Sequence, residues 1–275
     1  MRTGGEGFTM RISDEAFDLI VSEEVTSKAH YESKLKRTEW PGEASGVTVG
    51  IGYDLGQTDH AKIEKDWRGR VSDPMLSAML SASGVTGPAA NSLASTLKSS
   101  IEIPWDVALA VHRECVVPRW EGVVEKALPN TDKLPPDCFG ALVSLTFNRG
   151  PSFSNNGDRY REMRAIKAHM AAGAFDKIPG EFRAMKRIWQ GKGLDGLLRR
   201  RDAEADLFQR GLSMSPRLLP DQFLAWSLAR RPPLPLRCRI GSGRIWPISS
   251  SPPWSARVTR STAVRARSTS STSRG

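Results

Sequence analysis

The chain has 275 residues, of which 39% are hydrophobic and 25% charged, and its mean hydropathy is −0.38. No uninterrupted apolar run approaches the roughly 18 residues of a membrane-spanning helix. The formal net charge is +10, but eleven arginines and a single acid, Asp221, lie from residue 213 onward, which leaves 29 basic and 29 acidic residues in 1–212. The basic excess therefore indicates no nucleic-acid surface on the folded core.

Composition divides the chain into three parts. Residues 1–9 are Gly-rich and polar, without the apolar segment of a secretory signal, and are predicted to be flexible. Residues 10–212 show helical periodicity interrupted by Gly and Pro turns, and they contain one clear strand pattern. This part is predicted to be one domain of the α+β class, mainly helical, with a small β-sheet near its N-terminus.

The first predicted helix runs from residue 12 to about residue 26, with Ser13 as its N-cap. Phe17, Ile20 and Val21 form an apolar stripe at helical spacing, and Glu24 is the next position on that stripe. Burial disfavours the charged form of a carboxyl group, and a general acid must carry its proton near neutral pH. Glu24 is therefore a candidate general acid. The alternative is a frayed helix end with the carboxylate in water.

Residues 46–55 follow as a predicted strand with strict alternation. One face is apolar and the other is small or polar, with Thr48, Gly50, Gly52 and Asp54. Two glycines on one face indicate that a sugar ring or another strand approaches the backbone closely, although a sharp bend into a hairpin explains them equally well. Together with Glu24, Asp54 would supply the two carboxylates that glycosidic bond cleavage requires.

Helical patterns occupy most of the remaining core and are predicted over 59–68, 73–82, 89–99, 104–127, 136–147, 157–172, 175–189 and 194–211. Asn148, at the end of one of them, could bind a sugar N-acetyl group or merely cap the helix. Tyr53 and Gln57 are further candidates for substrate binding, although a tyrosine on the apolar strand face is more typical of a core. The four histidines lack metal-ligand spacing and the three cysteines are widely separated, so we expect no metal and no cofactor.

The tail, residues 213–275, contains thirteen serines and eight prolines, with arginine but no lysine. Such a composition cannot bury enough apolar surface to order the chain, so disorder is predicted. It is also typical of GC-rich coding sequence translated out of frame. The alternative is a natural basic tail that contacts an anionic cell envelope. In either case we expect the chain truncated at 212 to fold.

Three blocks of residues resemble the bacteriophage-type lysozymes, glycoside hydrolase family 24. The first combines Glu24, Tyr31 seven residues later and the strand 46–53; the second is the segment 139–150, which ends in Phe-Asn-Arg-Gly; the third is the segment 193–208, with its Gly-Leu, Arg-Arg, Glu-Ala and Leu-Phe pairs. Their order and spacing cover roughly residues 24–208.

The position of the second carboxylate is where the chain departs from most of that family. Most members place an aspartate between the tyrosine and the threonine. In this chain the segment contains no aspartate, and its acidic residues are Glu32, Glu39 and Glu43. In the pesticin-like branch the aspartate follows the threonine by six residues, which is the spacing of Thr48 and Asp54. The resemblance thus implies Glu24 as acid, Asp54 as second carboxylate and Thr48 as the water-positioning hydroxyl, with Glu43 in reserve.

The resemblance also implies a two-lobed fold and a function. It implies a monomeric muramidase that cleaves the β-1,4 bond between N-acetylmuramic acid and N-acetylglucosamine in bacterial peptidoglycan. The alternatives are a lytic transglycosylase, and a non-catalytic wall-binding or phage-structural protein. An enzyme without a signal peptide is expected in the host cytoplasm until release or export to the wall, as a phage endolysin, bacteriocin or effector.

Overall fold

The computed structural model describes residues 11–214, and this part of the chain is mainly helical with one small sheet, as the sequence predicts. The elements, in chain order, are α1 (Asp14–Val25), α2 (Lys28–His30), β1 (Thr48–Val49), β2 (Tyr53–Asp54), α3 (His60–Trp67), α4 (Asp73–Leu80), α5 (Pro88–Leu97), α6 (Trp105–Val111), α7 (Val117–Ala127), α8 (Pro136–Arg149), α9 (Arg161–Ala172), α10 (Ile178–Ala184) and α11 (Asp195–Met214). A π-helical turn, Tyr31–Leu35, continues α2.

The predicted segment 1–9 and the tail from residue 215 onward lie outside the described residues. Helix α11 continues to Met214, two residues past the predicted domain boundary at 212. None of the helices between residues 11 and 214 is both long enough and apolar enough to cross a membrane.

The sheet is a tight antiparallel hairpin, which corrects the prediction of one continuous strand over 46–55. Thr48 pairs with Asp54 and Val49 pairs with Tyr53. The chain reverses at Gly50 and Gly52, which adopt φ values of +59° and +67°. Glycine reaches these values without steric cost. Thr48 and Asp54 do share a face, but they do so because they lie opposite each other in the hairpin.

A third segment pairs with β1 on its other edge. Glu39 and Thr48 exchange two backbone hydrogen bonds, of 2.9 Å from Glu39 N to Thr48 O and 2.8 Å from Thr48 N to Glu39 O. Directly opposed residues in antiparallel pairs place their side chains on the same face. The sheet therefore presents Glu39, Thr48 and Asp54 in one row.

Helix α8 forms the centre of the core, and every residue from 138 to 146 is buried. A Cβ atom at Gly140 would lie 2.2 Å from the Cβ of Ala16 on α1. On the opposite side, a Cβ atom at Gly211 of α11 would lie 2.8 Å from Cys138 Sγ. Both crossings require glycine because the helices approach too closely for any side chain. This packing holds the C-terminal end of α1 next to α11.

A π turn, His112–Val116, joins α6 to α7 within the predicted helical run 104–127. Pro118 follows it and has no N–H to continue the regular ladder. His112 is 1% exposed, and its ring lies between those of Phe17 and Phe147. Its Nδ1 atom lies 3.1 Å from the carbonyl oxygen of Ile51. The turn of the β-hairpin is thus anchored to the helical core.

Candidate active site

Glu24 occupies the last turn of α1, directly beyond the buried side chains of Phe17, Ile20 and Val21. Its side chain is 24% exposed, whereas the neighbouring Glu23 lies on the exposed face of the helix. The helix therefore brings the Glu24 carboxyl to the boundary between core and solvent. A group in that position is accessible to a substrate and is held by the protein on its other side.

Arg200 of α11 binds the Glu24 carboxyl from the protein side. Its guanidinium Nη1 donates to Glu24 Oε1 at 3.1 Å, and its side chain is only 3% exposed. The same guanidinium donates through Nη2 to the carbonyl oxygen of Ser144 on α8, also at 3.1 Å. Arg200 thereby fixes the Glu24 carboxyl relative to two helices of the core.

A buried glutamate, Glu204, lies next to Arg200 on the same helix. It is fully buried and accepts hydrogen bonds from Ser144 Oγ at 2.7 Å and from Arg201 Nη2 at 2.8 Å. Burial raises the pKa of Glu204, and Arg201, Arg200 and the Ser144 hydroxyl oppose that shift. Glu204 thus has two arginines as partners, and one of them, Arg200, also bonds the carboxyl group of Glu24.

The cleft beside Glu24 has a volume of about 250 Å³. It is lined by residues from α1, from the π-helical turn and from the sheet, namely Glu24, Val25, Leu35, Glu39, Pro41, Thr48, Gly50 and Gly52. A Cβ atom at Gly52 would lie 3.8 Å from Glu24 Oε2, so the hairpin passes directly over the acid. The cleft brings together Glu24 and Thr48, the predicted acid and the predicted hydroxyl.

Asp54 lies next to Thr48 in the hairpin, but both of its carboxylate oxygens accept main-chain hydrogen bonds. Gly46 N donates to Oδ2 and Gln57 N donates to Oδ1, each at 3.0 Å. A carboxylate oxygen has two lone pairs, so each retains one free acceptor position. Asp54 therefore closes the loop after the hairpin in a fixed orientation, and it is not among the residues that line the cleft.

Glu39 lines the cleft on the other side of Thr48, and its side chain is exposed. Sequence reasoning placed it only among the acids between Tyr31 and Thr48 and chose Glu43 as the reserve carboxylate. Glu43 sits instead in an exposed turn, with φ of +48°, and does not line the cleft. No periodicity in this segment distinguishes the two glutamates, because only the backbone pairing of Glu39 with Thr48 brings it to the site.

The three predicted substrate-binding residues occupy different environments. Tyr53 is 5% exposed, donates to Asp66 Oδ2 at 2.7 Å and packs edge-on against Trp67, so it belongs to the core. Its place on the apolar strand face accounts for this. Gln57 is exposed, and its side chain donates to the Ala44 carbonyl oxygen at 3.1 Å. Asn148 is exposed near the end of α8 and does not line this cleft.

Arg200 is the site residue that sequence reasoning missed. A signal was present, because Leu197, Arg201, Glu204 and Phe208 follow one another at helical spacing on the stripe of α11 that faces the core. Charged residues on such a stripe indicate a buried ion pair. Within residues 11–214, the structure contains no cluster of three or more side chains suited to hold a metal ion.

Two family models match overlapping parts of the chain. Residues 17–115 match a domain of unknown function (DUF8812), and residues 108–204 match the phage lysozyme family. Among solved structures, the active form of the P1 phage endolysin Lyz is 17% identical, with a TM-score of 0.44, and the match covers 76% of this chain and 90% of that one. No curated protein matches the chain.

The two matched regions meet at the candidate site. Glu24, Thr48 and Asp54 lie in the first, and Arg200 and Glu204 lie in the second. The ion pair between Glu24 and Arg200 therefore joins the two regions. The segment that matches the phage lysozyme family, residues 108–204, carries the arginine that holds the candidate acid.

Proposed function

We propose that the protein is a peptidoglycan hydrolase, a muramidase that cleaves the β-1,4 bond between N-acetylmuramic acid and N-acetylglucosamine. The observation that carries the proposal is the shared cleft of Glu24 and Thr48, in which a buried arginine holds the carboxyl of Glu24. The phage lysozyme match over residues 108–204 supports it independently. Such an enzyme would reach the wall after its release or export from the producing cell.

Glu24 acts as the general acid in this proposal. It gives its proton to the glycosidic oxygen as the bond to the anomeric carbon breaks. Arg200 would then stabilise the carboxylate that remains, since a cation at hydrogen-bond distance favours a charged carboxyl group. The same contact holds the carboxyl in position before the reaction, which limits the cost of orienting it.

Asp54 acts as the second carboxylate, and Thr48 positions the water. Opposed in the hairpin, the two side chains share one face of the sheet, and Thr48 of this pair lines the cleft. Asp54 accepts a proton from the water whose oxygen bonds to the anomeric carbon, which balances the proton given up by Glu24. Its two backbone hydrogen bonds leave lone pairs for this task and prevent the carboxylate from rotating. Gln57 and Asn148, both exposed and outside the lining of the cleft, are proposed to contact sugars beyond it.

The test is Glu24→Gln, assayed by loss of turbidity of purified cell walls and by cosedimentation with them. We expect lysis to fall by several orders of magnitude while wall binding persists, because glutamine keeps the size of the side chain and cannot donate the proton. Glu23→Gln is the matched control, since it changes the same charge one residue earlier on the exposed face. Undiminished lysis by Glu24→Gln would overturn the proposal.

A further inference from the structure

A second depression adjoins the cleft, on the outer face of α5. It has a volume of about 150 Å³, and its lining includes Trp40, Asn91, Ser95 and Lys98; we refer to these four residues as the α5 depression. Glu39 lines both this depression and the cleft of Glu24. The two depressions therefore border each other at Glu39.

The walls of the α5 depression are fixed by hydrogen bonds. Thr38 is 2% exposed, and its hydroxyl donates to the Ala94 carbonyl oxygen of α5 at 2.7 Å. The indole Nε1 of Trp40 donates to the Ser45 carbonyl oxygen at 3.1 Å. The ring and the helix face are thus held together before any ligand binds, and a preorganised surface lowers the entropic cost of binding.

The chemistry of the lining fits an anionic group that carries an amide. Lys98 is exposed and forms no ion pair with any side chain in residues 11–214. The carboxamide of Asn91, also exposed, can donate to one amide group and accept from another. Glu39 places a negative charge where the depression borders the cleft, so Lys98 is the part of the lining that attracts an anion.

We propose, on the basis of the proposed function, that the α5 depression binds a carboxylate-bearing part of peptidoglycan adjacent to the sugars in the cleft. Lys98 pairs with the carboxylate, and Asn91 bonds an amide beside it. The carboxylate could belong to the stem peptide or, where the peptide is missing, to the lactyl group of muramic acid. In both cases the site would select charged wall glycan over uncharged glycan.

Binding of soluble glycan–peptide fragments tests the proposal in a background that carries Glu24→Gln, so that no cleavage interferes. We expect Lys98→Ala to weaken binding about threefold and Lys98→Glu about tenfold at low salt, with smaller effects at high salt. Lys65→Glu is the matched control, because Lys65 is exposed on α3 and lines neither depression. It should change binding less than twofold.

The source of the carboxylate follows from two further ligands. If stem peptides supply it, the effect of Lys98→Glu disappears on strands from which an amidase has removed the peptides. If the lactyl group supplies it, the effect persists on those strands and disappears on uncharged oligomers of N-acetylglucosamine. Either pattern supports the proposal.

Two results would overturn it: equal binding by the Lys98 and Lys65 variants, or equal weakening on the uncharged oligomers. Lys98 also caps the C-terminal end of α5, where a cation stabilises the helix, so thermal unfolding is measured alongside. A lower Tm with unchanged affinity would assign Lys98 to the helix alone and refute the proposal. Failure of the proposed function is a separate result, namely that the unmodified protein binds peptidoglycan but does not cleave it.

Discussion

Arg200 and Glu24 lie 176 positions apart in the chain, yet the guanidinium of one donates to the carboxylate of the other at 3.1 Å. Arg200 is almost wholly buried, while Glu24 retains one quarter of its side-chain exposure. The buried partner is thus fixed by the core and the exposed partner is free to meet a ligand. In this arrangement, the position of the candidate acid depends on how α11 packs against α1 and α8.

Replacing Arg200 with methionine should therefore reduce activity without removing any group that touches the substrate. We expect kcat to fall at least tenfold, because Glu24 loses the partner that orients it. Stability should fall as well, by about 3 kcal/mol, since breaking a buried ion pair strands the other charges. Kinetics on soluble wall fragments and denaturant unfolding measure the two effects.

Arg199→Met is the control for that variant, since Arg199 is exposed and precedes Arg200 by one residue. Arg200→Lys should recover part of the activity because it restores the charge, though not the forked geometry that reaches Glu24 and Ser144 together. If Arg200→Met lost stability but kept its full kcat, Arg200 would be a structural residue only.

The choice of second carboxylate is tested by three substitutions, Asp54→Asn, Glu39→Gln and Glu43→Gln. Under the proposed mechanism, Asp54→Asn lowers kcat by several orders of magnitude, and the other two lower it by less than tenfold. Asparagine also places an NH₂ group opposite one of the two backbone N–H donors, so unfolding must be followed in parallel. A large loss in Glu39→Gln with little in Asp54→Asn would move the water-activating role to the other side of Thr48.

The sequence predicted the local structure around each site residue better than the tertiary contacts between these residues. Helical spacing placed Glu24 correctly on the buried stripe of α1, because that spacing depends only on local geometry. Alternation placed Thr48 and Asp54 on one face, but it missed the reversal at Gly50, since a strand and a two-part hairpin give similar patterns. The pairing of Glu39 with Thr48 depends on tertiary contacts that a single sequence does not specify.

Buried charge was the other feature that escaped prediction. Helical spacing places Arg201 and Glu204 on the stripe of α11 that faces the core, but it does not identify the partners of these charges. Their burial is tolerated because each charge has an opposite partner close by. Only the relative position of α1, α8 and α11 shows that this internal network ends at Glu24.

The free energy of unfolding should decrease as the pH falls from 6.5 to 4, because of His112. Burial lowers the pKa of His112 from 6.5 to about 4, so the unfolded chain binds a proton in this range and the folded protein does not. Its contribution to stability is complete above pH 6.5 and is lost as the pH falls toward 4. The loss attributable to this residue is at most about 3 kcal/mol.

Denaturant unfolding at several pH values measures this slope. In His112→Gln, which keeps a donor for the Ile51 carbonyl oxygen, overall stability should be lower and the slope between pH 6.5 and pH 4 shallower. His60, exposed at the start of α3, offers the control substitution His60→Gln. An identical pH slope in the protein with and without His112 would contradict the assignment.

Tyr53→Phe should affect stability and leave catalysis unchanged. The hydroxyl group of Tyr53 donates to a buried carboxylate, Asp66, and its loss should cost about 1.5–3 kcal/mol. The ring lies in the core against Trp67 and not in the cleft, so KM and kcat measured below the unfolding transition should not change. A raised KM would instead return Tyr53 to the substrate-binding residues.

The central claim, hydrolysis of the glycan strand, is tested most directly by mass spectrometry of the products released from purified peptidoglycan. The proposed mechanism predicts disaccharide peptides with a reducing N-acetylmuramic acid end, because water is the group that attacks the anomeric carbon. These products should be absent from digests with Glu24→Gln. Products with 1,6-anhydromuramyl ends would show a lytic transglycosylase, and an intact glycan after prolonged digestion would contradict the account altogether.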